Sequence, residues 1–266
     1  MKIFVSIKQV PDTSGKVAVN PDGTLNRASM QTITNPDDMN ALEAALKIKD
    51  ETGCKVVAVT MGPPPAAGML REALAMGADE AILVSARELG GSDTYATSQI
   101  LAAAINKIGV EDDDIVLCGR QAIDGDTAQV GPQIGEKLHL PQITYAAEIA
   151  KEGKTVTVKR MLEDGYMTIK TQTPCLITCI KELNEPRYMS VGGVFEAYSK
   201  PLTTLDYNAL KDDPLIDATT IGLKGSPTNI FKSFTPPQKG VGMMLQGDGK
   251  ETCEELAGIL AKKHII

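Results

Sequence analysis

The chain has 266 residues, with 27 basic and 34 acidic side chains and a net charge of −7. That length can bury a sizeable core, and the acidic balance gives no electrostatic footprint for nucleic acid or for anionic lipid. No apolar run is long enough for a signal peptide or a membrane span, so the sequence predicts a cytoplasmic location. The five cysteines lack CxxC or Cys/His spacing, so we expect neither a disulfide framework nor a bound metal.

The first half of the chain alternates strand and helix patterns. Short apolar runs of strand type cover residues 3–7, 56–60, 81–84 and 115–117, and apolar residues recur at helical spacing between them. This alternation predicts an α/β fold with a mostly parallel sheet. Open sheets of this kind bind ligands at the carboxyl ends of their strands, so the loops there are the candidate sites.

Two of these loops carry helix-start signals. Asn35–Asp38 offers an N-cap Asn, a Pro at the first helical position and acidic residues in the first turn. The turn after Met61 leads into a helix over 66–76 that Gly77 ends, and with the N–H groups at that helix start the Gly62–Ala67 turn is a possible pyrophosphate site.

The most informative loop is Gly119–Pro132, which follows a buried strand and leads into a helical pattern over Thr127–Leu138. Asp126 is placed as the N-cap, with a Gln three residues later completing a capping box. Gly125 permits a positive φ and a close approach by ligand. The N–H groups at such a helix start can hold phosphate, and Arg120 can add positive charge.

The second half follows another pattern. Residues 155–158 and 166–170 alternate with period two around a short turn, which predicts a β-hairpin, and 175–180 is a further buried strand. Beyond Pro186 little periodicity is found until a helical stretch at 251–262. A segment of ~60 residues without clear elements predicts an arm that lies on another protein.

A set of motifs in one order points to a family. These motifs are Val5–Asp12, Asn35–Asp38, Ala73–Asp79, Gly119–Pro132 and Leu183–Tyr188. With them, the chain resembles the β subunit of electron-transfer flavoproteins over nearly its whole length. The resemblance implies a doubly wound, Rossmann-like domain that binds an adenine nucleotide over 1–190. Over 191–266 it implies a recognition loop with an extended C-terminal arm that wraps the α subunit of a heterodimer.

The resemblance also implies the nucleotide contacts. In that family the nucleotide is AMP in one branch and FAD in the electron-bifurcating branch, and the α subunit carries a second FAD. The positions that match are Ser6, Asn35, Pro36, Asp37, Asp38, Met61, Gly119, Arg120, Gln121, Ala122, Ile123, Asp124, Gly125, Asp126, Thr127, Ala128, Gln129 and Val130.

A docking surface follows from the same resemblance. Leu183–Glu196 matches the loop through which the β subunit docks on acyl-CoA dehydrogenases, with Val191 at the position of the apolar anchor. The docking residues implied are Arg187, Tyr188, Val191 and Glu196. Val191 should project from a Gly-flanked turn that has no helix or strand pattern.

Two departures favour FAD in this chain. Thr13 stands where some respiratory members place an aromatic residue, and Met161 stands where they place an acid. The loop over 124–132 is more similar to that of bifurcating proteins. The resemblance then implies that NADH gives a hydride to the β-subunit flavin, and that electrons pass to an acyl-CoA dehydrogenase and to ferredoxin or flavodoxin.

Two alternatives stay open. One is a single-flavin electron carrier whose β subunit binds only structural AMP. The other is a stand-alone adenine-nucleotide-binding module, such as a universal stress protein. Against the second, the chain has no Walker A motif, since Gly249-Lys250 lacks the spacing, and no GxGxxG follows a strand.

Overall fold

The computed structural model describes residues 1–12, 31–228, 231 and 240–266. Most of its strands form one nine-stranded sheet. The strands of that sheet are β1 (Lys2–Ser6), β4 (Lys55–Met61), β5 (Glu80–Val84), β6 (Ile115–Gly119), β7 (Gln142–Glu152), β8 (Thr155–Met161), β9 (Tyr166–Gln172), β10 (Cys175–Cys179) and β11 (Leu202–Leu205). A separate two-stranded ribbon consists of β2 (Gln9–Pro11) and β3 (Thr32–Thr34).

Helices connect the strands. They are α1 (Pro36–Thr52), α2 (Ala67–Met76), α3 (Thr94–Ile108), α4 (Val130–Lys137), α5 (Val191–Glu196), α6 (Tyr207–Leu210), α7 (Gly222–Gly225) and α8 (Gly249–Lys262). In the described part of the chain, no helix combines the length and the apolar character needed to cross a bilayer.

The strand order is β11-β5-β4-β1-β6-β10-β7-β8-β9. All neighbours from β11 to β7 are parallel, while β8 and β9 add an antiparallel hairpin. The predicted α/β fold with a mostly parallel sheet and a hairpin is therefore confirmed. The chain builds outward from β1 to β5 and then returns to the other side of β1 with β6. This reversal creates a topological switch point between β1 and β6, where such sheets bind their ligands.

Both faces of the central strands are buried, as a parallel sheet between helical layers requires. In β1, Ile3 and Val5 pack in one apolar cluster with α1 and α2. Phe4 packs in the other cluster, with α3 and Ile134 of α4. The same alternation continues in β4 and β6, which explains why their sequences are continuous apolar runs.

The segment beyond Pro186 differs from its prediction, because it contains regular elements. β11 pairs in parallel with β5, and the Ser85 N–H donates to the Leu205 carbonyl at 3.0 Å. β11 has only four residues, of which two are exposed, so no period-two pattern marks it in the sequence. The helix predicted at 251–262 is confirmed as α8, which has no buried residue. The division into 1–190 and 191–266 stays a prediction.

Candidate functional site

The carboxyl ends of β1 and β6 meet the start of α1 at the switch point. Asp38, in the first turn of α1, is buried and accepts from both strands: Oδ2 from the Lys8 N–H at 2.8 Å and Oδ1 from the Gly119 N–H at 2.9 Å. Burial raises the pKa of this carboxyl to about 7, against the lowering effect of its hydrogen bonds. The side chain thus ties together the two strand ends that border the switch point.

Asn35 lies at the predicted N-cap position of α1, with Pro36 as the first helical residue. Its side chain does not cap the helix, which corrects the predicted role. Instead Nδ2 donates to the Gln121 carbonyl at 2.8 Å, and Oδ1 accepts from the Ile123 N–H at 3.1 Å. Asn35 is fully buried, so these bonds fix the loop that follows β6.

Gly119 is required where β6 meets α1. A Cβ built there would lie 2.7 Å from the Asp37 carbonyl carbon and from the Asp38 nitrogen, and both of these are backbone atoms. Since backbone cannot swing away as a flexible side chain can, only glycine lets the helix start approach the strand end this closely.

The loop after Gly119 is held by side-chain pairs. Asp124 accepts from Lys8 Nζ at 2.7 Å, and Asp126 accepts from Gln121 Nε2 at 2.8 Å. Arg120 forms an ion pair with Asp37, with 3.3 Å between Nε and Oδ2. The positive charge expected from Arg120 is therefore already paired with the Asp37 carboxylate of α1.

Two details of this loop differ from the sequence prediction. The helix begins at Val130, Gln129 is the N-cap residue without a side-chain cap, and Asp126 is not the N-cap. The positive φ values fall on Asp126 (50°) and Ala128 (53°) and not on Gly125. The capping box is not formed, and one oxygen of the Asp126 carboxylate accepts from Gln121 instead.

A run of unpaired backbone donors follows. Among the described residues, no acceptor meets the N–H groups of 127–131. Ala128 is left-handed and the adjacent Gln129 is right-handed, and in proteins such neighbouring pairs bring successive N–H groups together in a concavity that binds anions. The dipole at the start of α4 adds to this effect. The loop therefore offers a phosphate group backbone donors, and no side chain needs to supply charge.

Two packing features complete this edge. A Cβ on Gly131 would lie 2.7 Å from Cys118 Sγ and 2.8 Å from Thr178 Cγ2, so glycine sets how closely α4 approaches β6 and β10. Ser6 Oγ, at the end of β1, is buried, and no described residue accepts from it or donates to it. An unpaired buried hydroxyl at a ligand-binding edge has hydrogen-bonding capacity left for a ligand. Both observations fit a nucleotide.

The turn between β4 and α2, over Gly62–Ala67, has no such donors. Gly62 donates to the Val84 carbonyl, the three following residues are prolines without N–H groups, and Ala66 donates to the Pro63 carbonyl. Ala67 donates to the carbonyls of the preceding prolines. All backbone donors within this turn are therefore used, and a pyrophosphate site here would depend on the N–H groups further along the start of α2, which stays a prediction. Met61 ends β4 at the same edge and is half-buried.

A second surface of the molecule is the segment 187–198, called here the docking segment. Tyr188 is 97% and Val191 is 78% exposed, and Glu196 is exposed as well. Val191 does not lie in a turn: it is the first residue of α5, which Ser190 caps by accepting from the Gly193 N–H at 2.9 Å. No helical pattern marks this segment in the sequence, because the helix has only six residues and two are glycines.

Arg187 anchors this segment. Its Nε donates to Glu43 Oε2 at 2.8 Å, and its second guanidinium nitrogen donates to Asp50 Oδ2 at 2.7 Å, both on α1. These bonds raise the pKa of Arg187. Arg187 was predicted to dock on a partner, but its guanidinium is already hydrogen-bonded within its own subunit.

Further anchors were missed at the sequence level. Arg71 on α2 donates to the Ala197 carbonyl, and Lys200 Nζ donates to the carbonyls of Leu74 and Ala78 at 2.9 Å. A Cβ on Gly193 would clash with the Ala75 carbonyl oxygen. With the backbone held in this way, Phe195 and Tyr198 also point outward, at 77% and 75% exposure. In the sequence, only the apolar character of Phe195 and Tyr198 could have indicated that they belong to this surface.

Comparison with known proteins now identifies the family. The family model described as "Electron transfer flavoprotein domain" matches residues 22–210. The chain is 70% identical to "Acryloyl-CoA reductase electron transfer subunit gamma" of Anaerotignum propionicum, over 100% of both chains. It is 53% identical to a subunit of the "Caffeyl-CoA reductase-Etf complex" of Acetobacterium woodii and 49% identical to "Electron transfer flavoprotein subunit beta" of Thermoanaerobacterium thermosaccharolyticum, each over 100% of both chains.

The chain belongs to the electron transfer flavoprotein family, as a β subunit. The resemblance found in the sequence is confirmed. The nucleotide contacts and docking residues that it implied stay predictions for this electron transfer flavoprotein β subunit.

The structure describes only one of the two positions that differ from respiratory members, Met161 and Thr13. Met161 ends β8 and is 37% exposed, in a group of exposed apolar side chains at the hairpin that includes Leu162 and Tyr166. Thr13 lies outside the described residues.

Among the described residues, no group of three or more His, Cys, Asp or Glu side chains could hold a metal ion. Four of the five cysteines are buried and only Cys253 is exposed.

Proposed function

We propose that this chain is the FAD-binding β subunit of an electron-bifurcating electron transfer flavoprotein that oxidises NADH. One observation supports the site more than any other: the run of unpaired N–H groups at 127–131 beside the switch point. A phosphate or pyrophosphate needs several convergent donors, and a helix start with left-handed residues supplies them without lysine or arginine.

The residues divide the work of holding the nucleotide. The N–H groups at 127–131 bind phosphate, and Ser6 Oγ gives a hydroxyl or ring atom of the nucleotide a buried partner. Bound FAD would supply hydride acceptance from NADH and release of single electrons. This chain's own residues hold it, orient it at the switch point and keep water from the strand ends.

The partners are proposed from three features. The names of the two most similar relatives reported above connect them with acyl-CoA reductases, and we extend this partner class, acyl-CoA dehydrogenases or reductases, to the chain. The docking segment presents the exposed apolar side chains for that contact. α8, with no buried residue, is part of the arm proposed to lie on the α subunit, which would carry the second FAD. Ferredoxin or flavodoxin would be the other electron acceptor.

Nucleotide analysis tests the cofactor. The complex co-expressed with its α subunit should be yellow, and acid extraction should release two FAD per heterodimer and no AMP. One FAD with one AMP would instead assign the protein to the single-flavin carriers. A complex that releases one FAD and no second nucleotide would contradict an adenine-nucleotide site in this chain.

Reduction by NADH tests the reaction. Mixing the purified complex with NADH in the absence of oxygen should bleach the flavin absorbance rapidly. A reduced acyl-CoA dehydrogenase, added in a parallel experiment, separates the two kinds of carrier. A complex that accepts electrons only from the dehydrogenase and ignores NADH would contradict the proposal.

A further inference from the structure

The side chains of Asn35 and Asp38 are hydrogen-bonded to backbone groups of the protein. Both Asp38 oxygens accept N–H bonds, and both polar atoms of the Asn35 amide are bonded to the loop after β6. Asn35 is 0% and Asp38 is 6% exposed. Side chains that are buried and paired in this way are directed at the protein fold and not at a ligand in the crevice.

The bonds of the two residues form one connection across the switch point, called here the clasp. On the β1 side, the Asn35 N–H donates to the Lys8 carbonyl at 2.9 Å and the Lys8 N–H donates to Asp38. On the β6 side, Asp38 holds the Gly119 N–H, and Asn35 holds the loop through Gln121 and Ile123. The clasp therefore sets where the loop leaves β6.

The clasp determines the geometry of the donors that follow. Ala122, between the two residues held by Asn35, accepts from the N–H groups of Gly125 and Asp126 at 3.2 and 2.9 Å. This turn delivers the chain into Asp126, where φ becomes positive and the unpaired N–H groups begin. Without the clasp, the exposed loop would have to be ordered by the ligand itself, and that ordering lowers affinity.

We infer that Asn35 is a positioning residue, which preorganises the 127–131 donors for phosphate without touching the nucleotide. This inference rests on the proposed nucleotide site and assigns a different role from ligand contact to a residue of that site. It predicts that losing Asn35 weakens binding of any ligand that shares the phosphate, whatever lies beyond the phosphate.

The chain offers a matched control on the same helix. Asn40 is also a buried α1 asparagine (4% exposed), and its Nδ2 donates to the Asn184 carbonyl at 2.7 Å. Asn40→Ala removes a comparable buried amide that serves a different loop. Asn35→Ala and Asn40→Ala should therefore lower the urea midpoint of the complex by similar amounts, while only Asn35→Ala changes the nucleotide site.

Two measurements on the full complex, stripped of nucleotide, test the role. Titration calorimetry with AMP and with FAD should show at least about a tenfold rise in Kd for Asn35→Ala, by the same factor for both ligands, and less than about a twofold change for Asn40→Ala. Hydrogen–deuterium exchange without ligand should show faster exchange of 119–126, where the N–H groups of Ile123, Gly125 and Asp126 are hydrogen-bonded, in Asn35→Ala only. If Asn35→Ala does not fold, Asn35→Asp, which keeps the acceptor for Ile123 and loses the donor to Gln121, replaces it.

Two results would contradict the positioning role of Asn35. Weaker binding with unchanged exchange in the ligand-free loop would mean that Asn35 contacts the nucleotide, which overturns the inference. Unchanged binding by Asn35→Ala would overturn it as well. If the unmodified complex binds neither AMP nor FAD, the proposed function fails, while the exchange measurement still decides whether Asn35 orders the loop.

Discussion

The loop at 119–131 presents backbone N–H groups at its surface, whereas the docking segment at 187–198 presents side chains. In the loop, side chains such as Asp124 and Asp126 are bonded to the protein, and backbone N–H groups are left free. In the docking segment, the backbone is tied to α2 by Arg71, and apolar side chains such as Val191 point outward. Both segments are rigidly supported, yet they suit different ligands.

Because the two surfaces are built differently, they should tolerate different substitutions. A site made of backbone donors depends on φ values, on glycines that permit close packing and on the residues that hold the loop. A site made of side chains depends on their size and charge. Backbone-directed changes should therefore affect the nucleotide, and side-chain changes should affect the protein partner, with little effect of either on the other.

The largest expected effect concerns the buried acid beneath the loop. The pKa of Asp38 is about 7 in the folded protein because of burial, against an ordinary value near 3.8. Between about pH 4 and pH 7, the folded state holds a proton that the unfolded chain releases. The free energy of unfolding should therefore fall as pH rises through this window, by up to about 1.4 kcal/mol per pH unit, with the contribution complete below pH 4 and lost above pH 7.

Comparison with Asp38→Asn isolates this contribution. Urea unfolding of the complex at several pH values should give a shallower decline for the variant, since it has no proton to lose at this position. The unpaired N–H left by the amide should add a constant loss of about 1–3 kcal/mol at every pH. Parallel curves for the two proteins would mean that Asp38 stays ionised, with its two N–H bonds outweighing burial.

Gly119→Ala should give the next largest effect. Its Cβ would overlap backbone atoms of Asp37 and Asp38, so α1 or β6 must shift, at a cost of about 3 kcal/mol of stability. Nucleotide retention after gel filtration should fall with it, because the shift moves the loop. Gly125→Ala is the control, since no atom of the described residues lies within 4 Å of its Cβ and its φ is not positive. Equal behaviour of the two variants would contradict the close-packing role.

The docking segment should respond to charge. Val191→Asp would place an unpaired charge in an apolar contact and should lower electron transfer to the acyl-CoA dehydrogenase by at least about tenfold, equivalent to ~1.4 kcal/mol of lost binding. Transfer rates at subsaturating partner concentration measure this, and Val191→Ala should give a smaller loss. Bound flavin and NADH reduction should stay at the level of the unmodified complex. Unaltered transfer would show that docking occurs elsewhere on the heterodimer.

The sequence predicted most of the elements but fewer of the contacts. The continuous apolar runs of β1, β4 and β6 and the proline that begins α1 come from local patterns that the fold keeps, whereas the predicted side-chain cap of Asn35 is not formed. The capping box at Asp126 was wrong because Asp126 is left-handed and the helix begins only at Val130, after a loop that is held by Asn35. A local pattern could not reveal this, since Asn35 and Gln121 are 86 residues apart.

The same limit applies to the docking segment. Arg187 matched a docking position, but its partners Glu43 and Asp50 lie on a helix more than a hundred residues earlier. β11 was missed because an edge strand of four residues is recruited by pairing with β5 and not by its own pattern. In each case a long-range contact outweighed a local signal.

The smallest expected effect tests whether the loop acts through its backbone. Ala128 has a φ of 53°, which glycine adopts freely and β-branched residues disfavour. Ala128→Gly removes the side chain but allows the same backbone, so the Kd for AMP or FAD should stay within about twofold. Ala128→Val should raise it about fivefold, since the strained conformation costs roughly 1 kcal/mol more. A loss for Gly equal to that for Val would mean that the Ala128 methyl group itself contacts the nucleotide, and the loop would then resemble the docking segment in acting through side chains.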